Sequence, residues 1–396
     1  MRIAYLHGGS IPSVYANGIH VMRMCDAFTE AGHDVTLYAL PGSYPAGDPH
    51  SYYGTRHRFP VRTVPAADGG AAGYRDRAAE VSELLLRGPA PDLIYGRDVH
   101  SLGQAPALAP LVYETHLLRD EPDLRRAEQE LLERPDLVRI VVITHALADD
   151  FRRAHAARDT APLLVAPDCA DPPTTLTSPA PAPRLPGRPG APRVGYVGHL
   201  YEGRGIDLIL GLAGRFPAVD FHLVGGTPED RARWERPCRL TNVHFHGHVP
   251  PGAVPAYFPL FDVVLAPYRR KVYTAGALAE TGRWASPLKL FEYLAHGRAV
   301  IASDLPVLRE VLQDGVNCLL RPPDEPAAWE QALTTLLADP ALRASLGDRG
   351  RRQVLDRYTW RHRADQVLAG LDLQPAADRA GRPRRPNPGR SAMPST

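Results

Sequence analysis

Apolar residues arrive in short bursts along this chain, separated by stretches with helical spacing, and the alternation repeats from end to end. Residues 3–7 form a first apolar run, and residues 8–18 read as a glycine- and serine-bearing loop. Val21, Cys25 and Phe28 then share one helical face. Gly32 stands where a helix stops, and residues 35–40 read as the next strand. This is a βαβ unit, which builds parallel sheets with ligands at the strands' C-terminal ends. Strands are predicted again at 92–95, 111–114 and 139–144, with helices near 75–87, 121–133 and 145–155. Between 171 and 192 prolines crowd the chain, Pro172, Pro173 and Pro181 among them, and forbid regular structure. The pattern then restarts, with strands at 194–197, 221–224, 243–245, 263–266 and 299–302. Helices are predicted from about 206, at 325–338 and at 340–356.

The division that follows is an N-terminal doubly wound α/β domain over 1–170, a linker over 171–192, and a second such domain over 193–372. The last helix is expected to pack back on the first domain. Residues 373–396, with Arg379, Arg382, Arg384 and Arg385 among prolines and glycines, read as a tail without a fixed fold. A net charge of +2 exerts no broad pull toward nucleic acid. Four cysteines without a CxxC pair argue against a zinc ribbon or disulfide framework. No basic segment followed by a long apolar run opens the chain, and no run reaches a membrane span, so a cytoplasmic location is the expectation.

Chemistry concentrates in two segments. Ser286 suits an N-cap, Pro287 the first helical position and Gly297 the stop, which predicts a helix beginning at Ser286. Leu290, Phe291 and Leu294 would form its apolar face, and Lys289, Glu292 and His296 its polar face. A lysine in the first turn opposes the helix dipole. It makes sense if an anion sits there, because free amides at a helix start bind phosphate. Glu292 could accept hydrogen bonds from ribose-type hydroxyls. A Lys289–Glu292 pair on a solvated face fits the same spacing. In the second segment, Gly198 to Gly205 joins a strand to a helix start, and Arg204 there suits a diphosphate or an exposed turn. A dinucleotide fingerprint is excluded, since Leu208 stands where its third glycine belongs.

Taken together these residues resemble glycosyltransferase family four, a group with the GT-B fold of two Rossmann-like domains facing a central cleft. Gly18-Ile19-His20-Val21 leading to Ala31-Gly32-His33-Asp34-Val35 is similar to the family's opening helix and turn. Tyr113-Glu114-Thr115-His116 is similar to its strand ending in an active-site histidine. Gly198 to Gly205 stands at its phosphate loop, and Ser286 to Ala295 followed by Gly297 to Asp304 at its most diagnostic helix and strand. The resemblance departs at Trp284, which replaces the first of two family glutamates, and at His199, where an arginine is usual.

The resemblance implies a retaining, metal-independent transfer of a sugar from a nucleoside-diphosphate donor, UDP-type by expectation, to a hydroxyl acceptor. It needs no cofactor, because the nucleotide sugar is a substrate. Gly198, His199, Arg204, His248, Val249, Ser286, Pro287, Leu288, Lys289 and Glu292 would hold the donor. Arg204 and Lys289 would stabilise the leaving diphosphate. Gly18, Arg97 and His116 would face the sugar and acceptor, with His116 orienting a hydroxyl. The acceptor is unspecified, and peripheral contact with a membrane face is compatible with the chain. A 2-epimerase acting on nucleotide sugars and a non-catalytic binding module share this fold and are the alternatives. The alternate His244, His246 and His248 read as strand-end histidines rather than a metal set, Tyr268 to Lys271 as a charged loop, and Asp149-Asp150 as a helix surface.

Overall fold

A computed structural model describes residues 1–42, 47–67, 69–156, 160–173, 183–273, 282–371 and 373. Residues 174–182 of the proline-rich linker, and the arginine-bearing tail after residue 373, lie outside these residues.

The first domain holds seven parallel strands: β1 (Arg2–Ile11), β2 (Asp34–Pro41), β3 (Val61–Thr63), β4 (Leu93–Gly96), β5 (Leu111–Thr115), β6 (Leu137–Val142) and β7 (Leu163–Val165), in the order β3-β2-β1-β4-β5-β6-β7. The second holds six: β8 (Arg193–Val197), β9 (Asp220–Val224), β10 (Val243–Gly247), β11 (Val263–Ala266), β12 (Ala299–Ser303) and β13 (Leu319–Arg321), ordered β10-β9-β8-β11-β12-β13. Both sheets are covered on two faces, which is why their strands are continuous apolar runs rather than alternating ones. These are the two doubly wound domains of the GT-B fold. In each the strand order reverses between the first strand and its neighbour, β1/β4 and β8/β11, and a crevice opens there at the C-terminal ends.

The three strands absent from the sequence reading are each three residues long and lie at sheet edges, too short to carry a periodic signal. The predicted loop after His7 begins later than expected, because β1 runs on to Ile11 through a register shift between Leu6 and Ser10. Across the shift four steps along β1 oppose two along β2, so two extra residues are left out of the ladder.

The chain returns to its starting domain at the end. Helix α12 (Trp360–Leu368) lies against α1 (Ala16–Glu30), and Trp360, Ala364 and Val367 are buried in the same cluster as Val21, Cys25 and Phe28. The domains also touch directly. Gly252 N–H donates to Tyr52 O at 3.0 Å, and Tyr52 Oη meets His248 Nε2 at 2.9 Å. A Cβ on Gly54 would stand 2.6 Å from the Gly252 Cα, so side chains are excluded from this contact. Glu310 of the second domain accepts from the His145 and Ala146 amides at 2.8 and 3.0 Å, capping α6 (His145–Ala154) of the first. A carboxylate on that positive helix end is favourable.

Candidate active site

The donor-side residues assemble on the second domain around β8. Lys289 belongs to α9 (Leu288–Ala295), which begins one residue later than expected: Pro287 is its N-cap, with no side-chain cap. Ser286 is therefore not a cap. Its hydroxyl accepts the Asp168 amide at 2.9 Å, tying α9 to the first domain. Nor is Lys289 on a solvated polar face. It is 9% exposed, and its Nζ sits 3.8 Å from the Tyr196 ring centroid and 5.3 Å from that of Tyr268. Arg204 lies over the other part of this aromatic floor, 5.3 Å from the Tyr268 centroid. Gly198, at φ +139°, passes so close that a Cβ would fall 2.7 Å from Lys289 Nζ.

Among the described residues neither cation has a carboxylate partner, and Arg204 Nε is buried without a hydrogen bond. Burial, then the Arg204 charge, pushes the Lys289 ammonium well below its usual range. A buried ammonium and a half-buried guanidinium sharing one pocket are mutually destabilising unless an anion joins them. The aromatic faces recover only part of that cost, about 0.5–2 kcal/mol per cation.

The first domain supplies a second cluster, at the end of β5. Glu114 is fully buried and is the hub. Its Oε1 is 2.6 Å from His116 Nε2, 2.7 Å from His20 Nε2 and 3.0 Å from Arg363 Nη2. Its Oε2 accepts from Tyr95 Oη, and Arg363 Nη1 lies 3.3 Å away. Burial alone would raise the Glu114 carboxyl, but Arg363 and the two imidazoles overcome that and hold it well below its ordinary value. It is a carboxylate, so His116 Nε2 must donate. Burial, then Arg97, lowers the His116 ring to about 3, and it is neutral. A neutral ring donating through Nε2 keeps a lone pair on Nδ1 for a substrate hydroxyl. His20 extends the chain to Asp168 at 2.7 Å. His20, Glu114 and His116 are close enough together to hold a metal ion. The Arg363 guanidinium already faces both oxygens of the carboxylate and would repel one.

Glu292 occupies a third position. It lines a small crevice with Ile19, Arg23, Asp171, Leu288 and His296. Burial lifts it to about 7, against the opposing pull of Arg23. It makes no ion pair with Lys289 among the described residues, so the surface-pair alternative is not realised. Gly18, next to Ile19, is in the first turns of α1, but the space it leaves is taken by Tyr53 Oη, 2.4 Å from where a Cβ would be. His199 is stacked on Tyr201 at 4.5 Å, and burial lowers it to about 3. The His248 side chain is engaged by Tyr52, and Val249 packs against the second core. Arg97 follows β4, with Nη1 buried and unpartnered.

Residues 18–171 match the profile of Glycosyltransferase Family 4, and residues 207–369 that of a Glycosyl transferase-like domain. Both are glycosyltransferase profiles, one matching on each domain. It is 32% identical to the phosphatidyl-myo-inositol mannosyltransferase of Mycolicibacterium smegmatis over 195 residues, 48% of this chain and 47% of that protein. The chain thus aligns with about half the length of such relatives. It is 25% identical to alpha-maltose-1-phosphate synthase of the same organism over 93% of this chain and 98% of the other. Among solved structures, sucrose-phosphate synthase from Thermosynechococcus elongatus superposes with a TM-score of 0.70 at 20% identity, covering 93% and 97% of the two chains. Anabaena HepE in complex with UDP and glucose gives 0.69 at 17% identity, covering 94% and 100%. These likenesses establish the GT-B fold.

Several residues of this site were not legible beforehand. Asp150, read as helix surface, accepts from Arg283 Nη2 at 2.9 Å and Trp284 Nε1 at 2.8 Å. Trp284, at the family's first glutamate, thus faces the first domain. Tyr268 is buried beneath the cations, while Arg269 and Arg270 of the same loop bond Asp207 and Asp324. Glu114 shares a strand face with His116 two residues on, which was a usable signal. Arg363, 249 positions from Glu114, left none.

Proposed function

We propose that this protein is a glycosyltransferase moving a sugar from a nucleoside-diphosphate donor, UDP-type, to a hydroxyl acceptor with retention of configuration. The observation that carries the reading is the pair of cations without a carboxylate partner among the described residues, half-buried Arg204 and buried Lys289, beside Gly198 and the start of α9. That arrangement suits a diphosphate: a guanidinium fork, an ammonium, and a backbone close enough to donate. The UDP named in the HepE complexes supports the donor class, and the transferase names of the relatives support the reaction class.

As the bond to the anomeric carbon breaks, negative charge grows on the diphosphate, and Arg204 and Lys289 stabilise it without reorganising. Losing one such preorganised donor typically costs about 100- to 1000-fold in rate. The acceptor hydroxyl attacks from the face the diphosphate leaves, and its proton passes to the departing phosphate oxygen. His116 accepts a hydrogen bond from a sugar or acceptor hydroxyl through Nδ1 and fixes its direction. Glu292 accepts from ribose hydroxyls. No metal takes part in this scheme, so activity should survive EDTA.

Thermal-shift titration with UDP, GDP and ADP, followed by incubation of the best nucleotide's sugars with candidate acceptors, tests this. Stabilisation by a nucleoside diphosphate that is lost in Arg204→Gln is the expected result. If no nucleotide binds, or if binding ignores Arg204, the proposal fails.

A further inference from the structure

The acceptor half of the cleft holds a cation that the scheme above does not use for charge. Arg97 stands at the β1/β4 switch point, its amide fixed to Leu6 O at 3.0 Å. Its guanidinium makes no ion pair among the described residues, and its Nη1 is buried without a partner. Its nearest imidazole neighbours cannot compensate it. His7 is buried with both ring nitrogens unpartnered, and burial first, then Arg97, lowers it well below its usual value. His116 is lowered by the same two causes in the same order. The carboxylates of this region are spoken for: Asp98 by Arg77 at 2.6 Å, Glu114 by Arg363 at 3.0 Å, and Glu128 by Tyr113 at 2.6 Å.

We infer that the acceptor carries an oxyanion, a phosphate ester or a carboxylate, which Arg97 binds beside the hydroxyl that His116 orients. A guanidinium with an orphaned N–H in a cleft matches an oxyanion's fork geometry, and a neutral polyol would leave the charge uncompensated. His7 offers the same ligand one N–H donor and one acceptor, which suits a hydroxyl next to the anion. The inference rests on the reading of the N-terminal half as the acceptor side.

The experiment uses inorganic phosphate as probe on the full chain, with ionic strength held constant by chloride. Melting temperature is followed against phosphate concentration for wild type, Arg97→Gln, Lys289→Met and the double variant. At saturation each bound ion adds stabilisation in proportion to the logarithm of its concentration, so the slope counts sites. Both single variants should show a shallower slope than wild type, and the double variant should be nearly flat. A wild-type slope in Arg97→Gln overturns the acceptor inference while leaving the donor reading intact. A wild-type slope in Lys289→Met, with Arg97→Gln shallow, overturns the donor reading instead. If Arg97→Gln also weakens UDP binding as much as Lys289→Met does, Arg97 belongs to the donor diphosphate and the inference fails. Arg97→Lys, which keeps the charge but loses the fork, should fall between. Two further arms identify the source. Arg97-dependent binding of glycerol phosphate or acetate supports a soluble phosphate ester or carboxylate, and Arg97-dependent flotation with phosphatidylglycerol vesicles supports a lipid headgroup. Absence of all three overturns the inference.

Discussion

Replacing Lys289 by methionine should make the unliganded protein more stable and the liganded one weaker. The side chain is 9% exposed, lies between two aromatic rings, and shares its pocket with Arg204. Methionine fills similar volume, keeps favourable contact with aromatic faces and carries no charge to desolvate. Exchanging poorly compensated buried charge for apolar volume is worth about 1–4 kcal/mol. For a domain of this size each kcal/mol moves the melting temperature roughly 2–4 °C. The same change removes a charged hydrogen bond to the donor, about 1.5–3 kcal/mol. That is about a 10- to 150-fold loss of affinity for a nucleoside diphosphate. The pH dependence has a fixed sign. Lys289 is depressed in the fold, so above its folded pKa the unfolded chain binds the extra proton, and wild-type stability rises toward about pH 10. The methionine variant lacks that term, so its advantage should shrink at alkaline pH. Scanning fluorimetry with and without UDP, from neutral to alkaline pH, reads all three. A variant that melts lower than wild type without ligand and still binds UDP normally would refute the reasoning.

Other outcomes follow from the same geometry. Gly198→Ala sets a Cβ against Lys289 Nζ at a φ of +139°, so it should cost about 1–3 kcal/mol of strain and abolish detectable UDP binding by calorimetry. Glu292, at about 7, protonates as pH falls through neutrality and then cannot accept from two hydroxyls, so UDP affinity should drop below about pH 7 in wild type and stay flat in Glu292→Gln. Arg363→Met leaves Glu114 buried and unpaired, for a loss of about 3–5 kcal/mol seen in chemical denaturation, whereas His116→Ala should abolish transfer with far less effect on stability. Asp150→Ala frees Trp284 Nε1 and Arg283, and should make the segment leading into α9 more accessible in hydrogen exchange.

How much was legible in the chain depended on whether the signal was local. The strands with four or more buried residues declared themselves as apolar runs, and the restart after the prolines located the second domain. Edge strands β3, β7 and β13 did not, because three residues cannot show a period. The start of α9 was misplaced by one residue because Ser286 and Pro287 are good cap chemistry in isolation. The Asp168 amide outcompeted the helix for the hydroxyl, and nothing near Ser286 in sequence announces that partner. Asp150 was misread for the same reason: its i+3 partner Arg153 suits a helix surface, while Arg283 and Trp284 lie more than 130 positions away. Lys289 is instructive, because an anion-binding lysine and a solvated pair with Glu292 fit the same spacing. Its spacing placed it on a polar face, yet the fold turned that face onto Tyr196 and Tyr268.

The distribution of compensated and uncompensated charge separates architecture from function. Where a buried charge serves the fold, it is paired: Arg77 with Asp98, and Arg363 with Glu114 across the whole length of the chain. Asp220, likewise, accepts from Arg188 at 2.7 and 3.0 Å. Among the described residues one group of orphaned polar atoms lies in the C-terminal half of β1 and beyond the ends of β4, β8 and β11: those of His7, Arg97, Arg204 and Tyr268. Others lie elsewhere, on Tyr5, Arg56, Arg119, His222 and His244 among them. A fold selected for stability alone would not place its unmet donors at both switch points. Their placement argues that the missing partners are substrate atoms, an anion on each side of the cleft with the sugar between them.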